Sequence, residues 1–221
     1  MIMNGEHHSI LSYWTYSFTE RYIVYFSVLL MLSVLILVSP LLTSDRHRGI
    51  HYLQYSSGRG REIMGSQLAA TLLSAFALTT LLILIFGWIF SLNGTGLFWN
   101  NYINSDFNVG VYTVFKMTYG EWVVSAVLLM YVLALSASVL AFILSRFSGN
   151  LITLIMKLIP AFAVLGFLCV KLFDRLFGMF NELYLTLRIF GAEAYVCGVL
   201  LIFAFLAVWL VLRREKRVDV M

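Results

Sequence analysis

Charge is scarce in this chain. Only 12% of its 221 residues are Asp, Glu, Lys or Arg, about half the share of an ordinary soluble domain. With 61% hydrophobic residues and a mean hydropathy of +0.90, the balance is that of an integral membrane protein, so length counts spans and not domains. Cysteine is nearly absent. Cys169 and Cys197 both fall in apolar runs, where they read as small buried side chains and not as a redox or metal pair. Proline occurs twice, as Pro40 near the end of one apolar run and Pro160 inside another, where a kink is expected. The N-terminus has no basic segment followed by an apolar core, so it does not read as a signal peptide.

Motifs of chemistry are missing too. GRGRE at 58–62 lacks the Gly-Lys-Ser/Thr ending that cradles phosphates, which excludes it as a nucleotide loop and places any ATP hydrolysis on another chain. Neither HExxH nor GxSxG is present, and no pair of carboxylates lies within a span, so hydrolysis in the membrane has no candidate residues. An enzyme acting on lipid would need such a cluster. His47 and His51 share a helix face but lack the three or four ligands of a metal site, and they read as polar surface. His7 and His8 read as a solvated tail.

What is present is a set of apolar runs with polar punctuation. The predicted fold is an all-α membrane bundle of about five transmembrane helices, at 22–42, 63–92, 122–144, 151–173 and 194–212. Residues 1–21, rich in Tyr and Trp, read as an external or interfacial arm, and 218–221 end a cytoplasmic tail. The polar aromatic segment 93–120 reads as an external loop, with Asn93-Gly94-Thr95 matching a glycosylation acceptor by accident. Residues 172–190 alternate apolar and charged positions at helical spacing and read as an amphipathic interfacial helix. Glu121 and Glu193 read as markers of span ends, with a paired gate as the alternative.

The +4 net charge is not that of a nucleic-acid binder, because the basic residues sit at span ends. With the 43–66 stretch cytoplasmic, Arg46, Arg48, Arg59, Arg61, Arg146, Arg213, Arg214, Lys216 and Arg217 face the cytoplasm. Arg21, Lys116, Lys171, Arg175 and Arg188 face outward. That bias predicts a multi-pass protein of the cell membrane, N-terminus outside and C-terminus cytoplasmic. Lys157, about two turns inside the fourth run, is expected to snorkel.

The densest polar passage, TSDRHRGIHYLQYSSGRGREIMGS at 43–66, sits between the first two runs. An apolar span ends in SPLLTSDRHRG, a basic Gly/Ser turn follows in YSSGRGRE, and the next span opens with the small residues of MGSQLAATLL. This order resembles ABC-2-type transporter permeases, the membrane subunits of one class of ABC exporter. The layout match covers 22–217, the motif-level match 38–75. The family usually has six spans with both termini cytoplasmic, and the chain reads as lacking the first.

The resemblance implies a permease subunit that dimerises with itself or a second permease and docks on a separate cytoplasmic ABC ATPase. No cofactor would be bound directly, ATP and Mg²⁺ being held by that partner. It further implies a coupling helix at 44–55 with Arg46, Arg48, His51, Tyr52 and Tyr55 as contacts, followed by the basic turn of Arg59 and Arg61. Substrate would pass along a dimer interface built from small-residue faces of the first three spans. The alternative is an accessory or immunity membrane protein that binds a partner and transports nothing.

Overall fold

The computed structural model describes residues 11–40, 63–105 and 113–215, and helix dominates them. The helices are α1 (Tyr13–Val38), α2 (Ile63–Ser91), α3 (Tyr119–Arg146), α4 (Leu151–Phe173), α5 (Glu182–Leu187) and α6 (Ala192–Glu215). Five of them are long and apolar enough to cross a membrane, all but the six-residue α5. The protein is therefore an all-α, multi-pass helical bundle. Among the described residues there is no strand, only the isolated bridges Tyr102–Thr118 and Thr113–Gly178.

The post of the bundle is α3. It packs on α1, α2, α4 and α6, and α1 in turn packs on α2 and α4. Its sequence explains this. Ala126, Ala134, Ala137 and Ala141 are buried, and such small side chains let neighbouring backbones close in where lipid gives no hydrophobic push. The small-residue face of α3 is thus packed against helices of its own chain. Of the membrane-crossing stretch, 56% is buried in α3 against 11% in both α4 and α6.

Facing α3, α1 buries Ile23, Phe26, Leu30, Met31, Val34 and Leu35 at three- and four-residue spacing, one stripe of a continuous helix. That helix begins at Tyr13, so the second half of the expected interfacial arm forms its first turns. Near the opposite end of α1's neighbours, Val139, Phe142 and Val208 make a smaller cluster with Leu68 and Leu72, bringing the starts of α2 and the ends of α3 and α6 together.

Local chemistry sets the helix ends. Thr118 and Glu121 form a reciprocal capping box at the start of α3, Glu121 N donating to Thr118 Oγ1 at 3.2 Å and Thr118 N to Glu121 Oε2 at 2.8 Å. Glu121 is thereby a cap, close to its expected role as a boundary residue. Lys157 Nζ reaches back to donate to the Phe147 carbonyl at 2.7 Å, just before the start of α4 and in the direction it was expected to snorkel. α4 continues as one helix through Pro160.

Between α2 and α3 the chain forms a cap. Two short 3₁₀ turns, Thr95–Phe98 and Ile103–Ser105, are tied to the α3 entry by Tyr119 N donating to Asn101 O at 2.8 Å and Gly120 N to Trp99 O at 2.9 Å. The Trp99 ring meets Tyr119 edge-on at 6.5 Å. This is the cap end of the bundle.

Candidate functional site: a turn bolted to four elements, and the cleft beside it

Residues 174–181, expected to continue an amphipathic helix, instead form an irregular turn between α4 and α5. Arg175 and Phe177 take positive φ angles of 51° and 58°, which L side chains avoid unless the surroundings hold them there. The surroundings do. Arg175 N donates to Glu20 Oε1 of α1. Trp122 Nε1 of α3 donates to Leu176 O at 3.0 Å. Phe177 N donates to Glu193 Oε1 of α6 at 3.2 Å, and Val114 N of the cap donates to Phe177 O at 2.8 Å. Within the turn, buried Asn181 donates through Nδ2 to Asp174 O at 2.7 Å and accepts from Leu183 N at 2.8 Å, capping α5.

The apolar residues that suggested a helix face are used differently. Leu176 and Phe177 fold inward into the core, whereas Met179 and Phe180 remain exposed. Trp122 lies beneath the turn, fully buried, with Tyr16 and Tyr119 rings 5.0 and 6.2 Å from its own. Tyr119 OH and Thr19 Oγ1 share a hydrogen bond at 2.7 Å, linking α3 to α1. Gly178 closes the turn through its N–H on Arg175 O at 2.7 Å. A Cβ there would stand 2.8 Å from that same backbone oxygen. Gly178→Ala should therefore lower stability by about 1–3 kcal/mol, and an unchanged thermal unfolding midpoint would show that the turn yields freely.

Glu193 was read as a span-end marker. It is 1% exposed, its Oε1 takes the Phe177 amide, and its Oε2 finds no partner. Below it, Cys169 and Cys197 are buried as free thiols, in line with the sequence reading.

Beside the turn a cleft of about 780 Å³ runs along α1 toward the last turn of α4. Such a volume falls within the range of small-molecule sites. Its charged lining is Glu20, Arg21, Asp174 and Arg175, with Tyr13 and Tyr25 exposed on α1 and Tyr16 buried behind them. Further along α1 the lining is apolar, with Val24, Val28, Leu29 and Leu32 of α1 beside Val170 of α4, the last three partly open at the surface. Two acids and two bases gather in this one cleft, in a chain this short of charge. Next to it Lys171 is paired with Glu182, tying α4 to α5.

Sequence reasoning had not joined these residues. Arg21 and Arg175 were counted as outward charges, and no local period connects positions 155 residues apart. The residues it did single out, Arg46, Arg48, His51, Tyr52, Tyr55, Arg59 and Arg61, lie outside the described residues, as do His7, His8 and His47. No family model, curated protein or solved structure matches the chain.

Proposed function

We propose that this chain is the membrane-spanning permease subunit of an ATP-driven ABC-type export system, working with a separate cytoplasmic ATPase. The observation that carries the reading is the sequence of the 43–66 passage, whose motifs follow one another as in the coupling segment of ABC-2-type permeases. Five apolar helices support it. So does the placing of that passage between α1 and α2, which pack on each other and on α3.

The lever is α1. It is one helix of 26 residues, about 39 Å long at 1.5 Å per residue. It runs toward the 43–66 passage at one end and walls the charged cleft at the other. A push on the passage by an ATPase would tilt α1 and alter the cleft at the far end, where Glu20 also grips the 174–181 turn. In this reading the cap end faces outward, the C-terminus lies in the cytoplasm, and the protein resides in the cell membrane, following the basic bias of the span ends. A second permease copy would complete the path.

The test is co-expression with the candidate ATPase and replacement of Arg48 and Tyr52 by Ala. Arg and Tyr are common interface anchors worth about 2 kcal/mol each when truncated, so affinity should fall roughly thirtyfold or more and coupled ATPase activity with it. Unchanged complex formation and coupling would remove the docking assignment. A complex that forms but whose ATPase no substrate stimulates would favour a partner-binding protein that transports nothing.

A further inference from the structure

We infer that the cleft along α1 binds a membrane lipid whose head carries both a phosphate and an ammonium group. The inference rests on the permease reading for its role as cargo, but not for the binding itself.

Shape comes first. From Glu20 to Leu32 is twelve residues of unbroken helix, about 18 Å. That is close to the depth of one leaflet, about 15 Å of the ~30 Å hydrocarbon core. A site with its charged lining two turns inside α1, and apolar lining for about one leaflet's depth beyond it, matches a lipid lying parallel to α1. A soluble solute would leave Val28, Leu29 and Leu32 uncovered, and a plain hydrocarbon would leave the charged rim without a partner.

The rim chemistry then narrows the head group. Arg21 and Arg175 are the cations available to a phosphate. Glu20 and Asp174 are the anions, and Tyr13 and Tyr25 expose 40% and 73% of their surface beside them. Carboxylates together with aromatic faces are the usual means of holding a quaternary or primary ammonium. With two acids and two bases the rim has no excess of either sign. A purely anionic lipid would meet Glu20 and Asp174 unfavourably, and a cationic amphipath would meet Arg21 and Arg175 the same way.

The experiment uses the full chain alone, in maltoside micelles with no ATPase present. Lysophosphatidylcholine is titrated and bound lipid counted by native mass spectrometry. Lysophosphatidic acid and monoacylglycerol of equal chain length serve as comparisons. One equivalent of the choline lipid should bind at least about tenfold tighter than either comparison lipid, as one cation–π and one charge-assisted contact require. The exposed rim allows variants with little risk to folding. Tyr25→Ala and Asp174→Asn should remove the preference for choline, and Arg21→Gln should weaken both phosphate-bearing lipids.

Equal binding of all three lipids, or binding that ignores every variant, would mean ordinary annular lipid and overturn the assignment. So would a dimer that Tyr25→Ala splits while lipid binding stays absent, because a second copy would then be the occupant. Absent lipid binding with intact ATPase coupling sinks this inference alone. Lipid binding without any coupling sinks the transport reading alone.

Discussion

Trp122→Ala will cost the folded protein about 3 kcal/mol, at the low end for a buried aromatic. The full transfer term does not apply where the unfolded helix also sits in lipid, so the loss comes from packing and from one hydrogen bond. The packing is with Tyr16 and Tyr119, whose rings sit 5.0 and 6.2 Å away. The hydrogen bond is from Nε1 to Leu176 O at 3.0 Å, which leaves a carbonyl of the 174–181 turn without its donor. Trp122→Phe keeps most of the packing and loses the bond, so it should cost about 1 kcal/mol. Denaturing-detergent titration of both variants separates the two contributions. Equal losses would mean that packing against the tyrosines contributes nothing.

Glu193→Ala is expected to cost about 2 kcal/mol, the penalty for leaving the buried Phe177 amide with no acceptor. The partly satisfied carboxyl makes a sharper comparison possible. Glu193→Gln retains an oxygen for Phe177 N and replaces the unpartnered Oε2 by an NH₂ group that also lacks a partner. It should stay within about 1 kcal/mol of the parent protein. If Ala and Gln behave alike, the Phe177–Glu193 bond is not what holds α6 to the turn. Because Phe177 sits at φ 58°, release of its amide should also loosen the turn locally, read as faster amide exchange at 174–181 in Glu193→Ala alone.

How much of this was legible beforehand varied with the kind of signal. The 151–173 run became α4 with the same bounds, because an uninterrupted apolar stretch between polar breaks leaves a membrane chain little choice but helix. The all-helical bundle followed for the same reason. The 172–190 stretch went wrong because periodicity reports which positions are apolar and not what they pack against. Leu176 and Phe177 are drawn into the core by Trp122, Glu193 and Val114, and three partners far apart in sequence override a local helix. Tyr13 to Arg21 carried interfacial residues, yet the α1 helix continues through them, since nothing in that segment breaks it.

The cleft was the least visible feature. Its rim joins Glu20 and Arg21 to Asp174 and Arg175, pairs that look like routine boundary charges when each is read in its own segment. Only the return of the chain to the start of α1 brings them together. The expected coupling contacts, from Arg46 to Arg61, rest on their order in the sequence.

The placing of α3 at the centre has a consequence for biogenesis. A ribosome delivers α1 and α2 to the bilayer before their shared partner exists, and the two touch each other less extensively than they touch α3. Until residue 146 has emerged they are loosely associated helices in lipid, not a folded half. A nascent chain halted before α3 should therefore be an early target of membrane quality control. One halted after it already holds the scaffold on which α4 and α6 settle.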